Sequence, residues 1–304
     1  MTGAAHVPVM PRECVKALNP HKGGVYLDGT AGLGGHSELL LEGGGQVICL
    51  DRDADALNQC KARLGRFGDR VRFLHGNYRE MDRLLSEAGA GLLDGILLDI
   101  GVSSMQLDTP GRGFSYRHDA PLDMRMDGSQ SLTAEEVVNE WDARQLVRIF
   151  YDYGEERYAP QLARGIVAAR PLKTTAELAE TIIESMPARG RREAQHPARR
   201  VFQAIRIAVN GELDALEEGL PAALKRLKPG GRLAVISFHS LEDRITKRVF
   251  AEAAKGCVCP PSFPACACGK SPSVRIIGRW RPLQKESEEN PRSASAVLRV
   301  AEKI

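Results

Sequence analysis

The chain has 304 residues, with 43% hydrophobic and 27% charged, close to ordinary globular usage; that excludes a disordered, collagen-like or coiled-coil polymer. Forty-two Lys and Arg against 39 Asp and Glu leave a net charge of only +3, so total charge gives no sign of a nucleic-acid partner. The length exceeds one average domain of about 100 to 200 residues, which predicts either a large α/β domain with an insertion or two domains. No apolar run reaches the roughly 18 residues that a membrane helix needs. Met1 to Pro11 also lacks a basic segment followed by an apolar one, so the expectation is a soluble, unexported, cytoplasmic protein.

From Val25 to Gly101 short apolar runs alternate with amphipathic stretches. Val25–Leu27, Gln46–Leu50, Val71–Leu74 and Gly95–Leu98 are predicted as buried strands, with helices over Ser37–Glu42, Ala54–Leu64 and Tyr78–Ala88. This β-α-β-α order predicts a parallel sheet covered by helices. From about Met105 to Pro197 there is no convincing strand, and helices are predicted over Thr133–Tyr151 and Thr174–Glu184. A helix over Ala208–Leu227 and a Lys-Pro-Gly-Gly turn then lead to a strand at Gly231–Ser237, and a helix over Leu241–Ala254, capped by Ser240, follows. The last strand, Ala296–Ala301, is expected to be antiparallel because no crossover helix precedes it. The boundaries expected on this reading are 1–105, 106–204 for a helical insertion, and 205–304.

Directly after the first strand comes Asp28-Gly-Thr-Ala-Gly-Leu-Gly-Gly-His-Ser37. Gly32, Gly34 and Gly35 permit a tight turn, and the helix that follows offers unpaired N–H groups to a ligand. Asp51, at the end of the second strand, is placed to accept hydrogen bonds from both hydroxyls of a ribose. A dinucleotide site and an S-adenosylmethionine site are both live on these residues. The G-x-G-x-x-G/A spacing of the former is broken by Ser37, and Asp28 precedes the glycines where a carboxylate can face an ammonium; both points favour S-adenosylmethionine. Tyr78, after the third strand, is either a stacking platform for adenine or a half-buried core residue. Asp99 ends the fourth strand, where ligands of open α/β sheets bind.

Several longer stretches carry a specific resemblance. They are D-G-T-A-G-L-G-G-H-S from Asp28, D-G-I-L-L-D-I-G-V-S-S-M-Q-L-D from Asp94, R-G-F-S-Y-R from Arg112 and P-L-D-M-R-M-D from Pro121. Y-G-E-E-R from Tyr153, H-P-A-R-R-V-F-Q-A-I-R-I-A-V-N-G-E-L from His196, S-F-H-S-L-E-D-R from Ser237 and N-P-R-S-A-S-A-V-L-R-V-A-E from Asn290 complete the set. Together they resemble the bacterial 16S ribosomal RNA cytosine-N(4) methyltransferases of the MraW type, over nearly the whole chain. The resemblance implies a class I S-adenosylmethionine-dependent methyltransferase fold, a Rossmann-like doubly wound α/β sheet with a helical insertion domain. It also implies methylation of the exocyclic amine of a cytosine in the decoding region of 16S ribosomal RNA, met within the small subunit. Carried over by motif, the cofactor contacts would be Gly34, Gly35, His36, Asp51, Tyr78, Asp99 and Gln106; Tyr78 stands where a Phe can occur, which preserves stacking.

A cytosine amine is a poor nucleophile because its lone pair is delocalised, so acceptors for its N–H groups would favour attack. The acidic-Pro-Pro-aromatic device of many amino methyltransferases is absent, since Asp99 is followed by Ile-Gly-Val-Ser-Ser. Asp99 is therefore expected to orient the amine or the cofactor's methionine end, with Ser103 assisting, and His239 to accept the proton or to be structural. For RNA, Arg189, Arg191, Arg192, Arg199, Arg200 and Arg206 set six positive charges against Glu193 alone, enough to follow a phosphate backbone or simply to form a solvated helix face. Arg117, Arg125 and Phe114 form a second candidate surface. A nicotinamide-dependent oxidoreductase and a non-catalytic RNA-binding assembly module are the rival readings; neither accounts for all these motifs.

Of seven cysteines, Cys14, Cys49 and Cys60 are scattered and expected to be inert. Cys257, Cys259, Cys266 and Cys268 form two C-x-C pairs, a pattern open to structural zinc or to free thiols.

Overall fold

In the computed structural model, which describes residues 8–192, 196–257, 259–260, 263–265 and 267–304, the chain divides into two compact units. One comprises 1–101 with 213–304; the other is 102–212. In chain order the elements are α1 (Pro11–Leu18), β1 (Val25–Asp28), α2 (Gly35–Glu42), β2 (Gln46–Asp51), α3 (Ala54–Leu64), β3 (Val71–His75), α4 (Met81–Glu87) and β4 (Leu93–Asp99). There follow α5 (Ser104–Asp108), α6 (Ala134–Glu140), α7 (Ala143–Asp152), α8 (Ala159–Ala169), α9 (Thr175–Ser185), α10 (Ala188–Arg191) and α11 (Ala198–Asn210). The remainder are α12 (Glu212–Arg226), β5 (Leu227–Ser237), α13 (Ser240–Ala254), β6 (Val274–Trp280), α14 (Gln284–Glu289) and β7 (Val297–Lys303).

The first unit is a seven-stranded sheet in the order β3-β2-β1-β4-β5-β7-β6. Strands β1 to β5 are parallel, and β7 runs antiparallel to both β5 and β6. Its strands are buried on both faces because successive residues point to opposite sides. Leu27, Ile48, Leu50, Ile96, Leu98, Leu233 and Val235 enter one core with α4 and α12. Tyr26, Val47, Cys49, Leu97, Ala234 and Ile236 enter the other with α1, α2 and α3. This is the doubly wound α/β sheet, with an antiparallel last strand, expected from the sequence. The chain runs outward from β1 to β3, then returns to β4 on the other side of β1. The loops after β1 and β4 therefore flank one crevice at the carboxyl ends of the strands, where such sheets bind ligands.

Strand β7 pairs as expected, but its partner β6 was not foreseen in the sequence. In Val-Arg-Ile-Ile-Gly-Arg-Trp only Val274 is buried, because β6 is an edge strand, so the segment shows no clean apolar face.

The second unit is helical, and its core is formed by residues such as Phe114, Leu122, Met124, Leu146, Phe150, Leu162, Ile182, Val201 and Ile205. Two helices expected from periodicity are each divided. The stretch Thr133–Tyr151 restarts at Asp142, an extended residue whose carboxylate accepts the Gln145 N–H while the Gln145 side chain accepts the Asp142 N–H. The stretch Ala208–Leu227 is interrupted at Gly211, which sits in the left-handed region at φ 56° and ends a helix that begins at Ala198, ahead of the expected start. Periodicity runs through both breaks because the buried face continues across them.

Candidate active site

The loop after β1 is fixed from inside. Asp28 is buried, 1% exposed; it accepts the Ser37 hydroxyl at 2.7 Å and the Thr30 N–H at 3.3 Å. Burial raises its pKa, against the opposing pull of His36, Ser37 and Thr30. The carboxylate that the sequence offered to a ligand ammonium thus lies beneath the loop and shapes it. Gly34 caps α2 at φ 80°, and a Cβ there would meet the Cys60 sulfur at 2.8 Å, so both backbone and packing require glycine. The Gly32 N–H donates to Asp51 Oδ2 at 2.7 Å, tying the loop to the end of β2.

Asp51 also accepts the Asp53 N–H on Oδ1 at 2.8 Å. Each oxygen keeps a second lone pair, which suits a ribose diol. Burial raises the Asp51 pKa to about 6, despite the two N–H donors that favour the ionised form. Asp53 turns away to cap α3, accepting the Asp55 and Ala56 N–H groups. Tyr78 is buried, 8% exposed, within the core on the α4 and α12 side of the sheet. A Cβ at Gly219 would stand 2.7 Å from its ring, so α12 approaches the ring closely. Of the two roles open in the sequence, the core role is the one this geometry displays.

Asp99 is the reactive-looking group. Its N–H donates to Thr30 Oγ1 at 2.7 Å, joining β4 to the β1 loop. One carboxylate oxygen lies 3.5 Å from His36 Nε2; Asp99 Oδ1 and His36 Nε2 are both buried without a hydrogen-bond partner. Buried polar atoms of this kind ask for a ligand or water to complete them. Burial alone would lower the His36 pKa, but the carboxylates of Asp99, Asp28 and Glu286 outweigh it and raise it. The glycine cradle and the diol-sized acceptor at Asp51 fit the polar groups of S-adenosylmethionine, and the incomplete His36 and Asp99 pair leaves a carboxylate oxygen for an N–H of the methyl acceptor.

The turn after β5 holds a group that the sequence reading missed. Glu242, 1% exposed, accepts the Phe238 N–H at 2.7 Å and the His239 N–H at 3.2 Å on Oε2. Its other oxygen lies 3.0 Å from His239 Nε2. The detectable signal was a Glu three residues after the helix-capping position. One expectation changes here. The residue at the start of α13 is His239 at the N-cap, with Ser240 already helical. Both His239 ring nitrogens are buried without a hydrogen-bond partner, and Nε2 faces the Glu242 carboxylate, a placement that fits a support for the turn. Asp99 and Ile236 are register partners on adjacent strands, so this turn and Asp99 emerge side by side.

In the second unit, Ser103 caps α5. Its hydroxyl accepts the Gln106 N–H at 3.2 Å and Gln106 Oε1 accepts the Ser103 N–H at 3.0 Å, a capping box that fixes the Ser103 hydroxyl at the start of α5. Arg189, Arg191, Arg192 and Arg199 are exposed. Arg200 lies 3.7 Å from the buried Glu156 carboxylate, and Gly154 of the same Y-G-E-E-R motif packs against the Arg200 carbonyl. Arg206 is corrected outright: it is 14% exposed and bound through two contacts of 2.8 Å to Glu212, itself 3% exposed, which removes it from any phosphate surface. The second candidate RNA surface also closes. Phe114 is buried, and Arg125 folds onto Asp123 and the carbonyls of Gly128 and Gln130, leaving Arg117 exposed. Beside the Arg-rich stretch, Tyr116 stacks on exposed His196 with centroids 4.4 Å apart. Glu193 lies outside the described residues.

A model of the MraW methylase family matches residues 3–304. The "Ribosomal RNA small subunit methyltransferase H" of Heliobacterium modesticaldum is 55% identical over 309 residues, covering 98% of each chain. That of Carboxydothermus hydrogenoformans is 52% identical over 306 residues, 99% of this chain and 98% of the other. Among solved structures, a ribosomal RNA methylase from Streptococcus thermophilus is 11% identical with a TM-score of 0.44, over 99% of both chains.

Proposed function

Because the chain belongs to the MraW methylase family, we propose that it is an S-adenosylmethionine-dependent methyltransferase acting on the exocyclic N4 of a cytosine in the decoding region of 16S ribosomal RNA. The observation that carries the reading is Asp99, at the crevice end of β4, with a buried oxygen that lacks a partner beside His36. A nicotinamide oxidoreductase has no use for that group, and a non-catalytic assembly module has no use for the crevice.

S-adenosylmethionine, when bound, supplies a methyl group on positively charged sulfur, released to an amine nitrogen while the bonding pair stays on sulfur. Asp51 would accept the ribose hydroxyls, and the N–H groups at the start of α2 would meet the polar end. Asp99 accepts an N–H of the cytosine amine, which keeps the nitrogen lone pair out of the ring and leaves a carboxylate to take the proton as the amine is alkylated. His36 holds Asp99 in place; His239 and Glu242 fix the neighbouring turn. Most of the catalytic gain is positional, since the displacement needs alignment more than proton transfer.

The inserted unit is the one to which we assign the RNA. Arg189, Arg191, Arg192 and Arg199 are free to meet phosphates, and the Tyr116 and His196 pair gives an aromatic face for an unstacked base. The target base must leave its stack to be methylated. The test is transfer of labelled methyl to small subunits from a strain lacking the enzyme, followed by nucleoside analysis; a ring-methylated product would overturn the amine assignment.

A further inference from the structure

Between the end of α13 and the start of β6 the chain makes an excursion over residues 255–273 that has no helix or strand among its described residues. Its ends are pinned together: the Ser273 N–H and hydroxyl both reach the Ala253 carbonyl, at 2.9 and 3.2 Å. Between these anchors the described side chains are mostly solvent-facing, and Phe263 is 53% exposed. Among its described residues none joins a buried apolar cluster that would order the segment.

Inside the excursion, three thiols converge. The sulfurs of Cys257, Cys259 and Cys268 all lie within 4.8 Å of one another, and Cys257 and Cys268 are 3.7 Å apart. That separation is far from a disulfide, whose sulfurs stand about 2.05 Å apart. It matches the roughly 3.8 Å edge of a tetrahedron of thiolates around zinc with Zn–S near 2.3 Å. Backbone N–H groups also point at the sulfurs, as suits thiolates: Cys259 N–H to Cys257 Sγ at 3.4 Å, and Ala267 N–H to Cys259 Sγ at 3.3 Å. Three thiolates on a divalent ion leave one negative charge, and Lys255 and Lys270 of the same segment are exposed and positive. Cys266, the fourth thiol of the sequence motif, lies outside the described residues, and the inference rests on the other three.

We propose that Cys257, Cys259 and Cys268 bind a structural zinc ion that cross-links the two ends of this excursion. The ion replaces the missing core: it links both C-x-C pairs across the proline-containing middle of the excursion and leaves the methyltransferase chemistry to the other end of the fold.

The full-length protein is purified under reducing, anaerobic conditions from cells supplied with zinc sulfate, and its metal content is measured by mass spectrometry. The expected result is about one zinc per chain, falling at least tenfold in a Cys257→Ser, Cys268→Ser variant that still binds S-adenosylmethionine with wild-type affinity. Cobalt added after removal of zinc should give a thiolate-to-cobalt charge-transfer band in the wild type and none in the variant. Chelation should speed tryptic cleavage after Lys270 at least tenfold. Less than about one-tenth zinc per chain in the wild type, full zinc retention in the variant, or an intact mass lighter by two hydrogens, as a Cys257 to Cys268 disulfide would give, each overturns the proposal.

Discussion

Asp51 lends itself to a quantitative test because its two consequences run in opposite directions with pH. Its folded pKa is about 6, against an ordinary value of 3.8, and burial is the main cause. Between these values the unfolded chain has released the proton and the folded one has not, so the folded state binds more protons. Stability of the ligand-free protein from this group is therefore fully present below about pH 3.8 and is lost as pH rises through 6. The difference of 2.2 pH units corresponds to about 3 kcal/mol. Cofactor binding goes the other way, because ribose hydroxyls donate best to the ionised carboxylate. If only that form binds, affinity for S-adenosylmethionine reaches a plateau above pH 7 and is about tenfold weaker at pH 5. Calorimetric titrations from pH 5 to 8 at fixed ionic strength measure this directly. The same series with S-adenosylhomocysteine, which lacks the sulfonium charge, separates Asp51 from His36, whose protonation repels only the charged ligand. Asp51→Asn should bind about 10- to 100-fold more weakly at pH 7.5, the worth of a charge-assisted hydrogen bond, and should lose the step near pH 6. An unchanged step in Asp51→Asn, or an affinity independent of pH in the wild type, would refute the assignment.

Asp99→Asn should lower methyl transfer at least 100-fold while cofactor affinity stays within about threefold, because the lost group acts on the amine; near-normal turnover would remove Asp99 from the chemistry. His239→Asn should lower the melting temperature and leave the shape of the pH–rate profile unchanged, since both ring nitrogens are buried; disappearance of an ionisation in the imidazole range would restore the ring as proton acceptor. Replacing Arg189, Arg191, Arg192 and Arg199 together by Ala should reduce the salt dependence of RNA binding by about 0.7 per lost contact in the log–log slope. Arg206→Ala should instead destabilise the fold by about 3 kcal/mol, by stranding the buried Glu212, with the salt slope intact; a fallen slope in that variant would return Arg206 to the RNA surface. Gly34→Ala should cost about 1–3 kcal/mol of stability through the contact with Cys60 and the φ of 80°, read from denaturant melts.

Much of this was legible before any fold was known. The strands β1 to β5 and helix α3 were found from local patterns because a parallel sheet buries both faces of each strand and writes an apolar run into the sequence. The glycine loop, Asp51 and Asp99 were found because turn chemistry and strand ends are local features as well. Gly34 shows the limit: the sequence says that a tight turn is wanted, and only the packing of α3 against the loop says that Cys60 leaves no room for a Cβ.

What the tertiary structure alone decided is which charged and polar groups are already engaged. Six arginines in one stretch are indistinguishable in sequence, yet Arg206 is locked to Glu212 and four others face solvent. Asp28 stands under the loop, Ser103 caps a helix, and Glu242 faces His239. Each of these outcomes depends on burial and on partners brought close by folding, and local residue patterns carry no measure of either. The sequence by itself determined the kind of sheet, the crevice and the residue types available for methyl transfer; folding determined, through desolvation and pairing, which of them remain free to act.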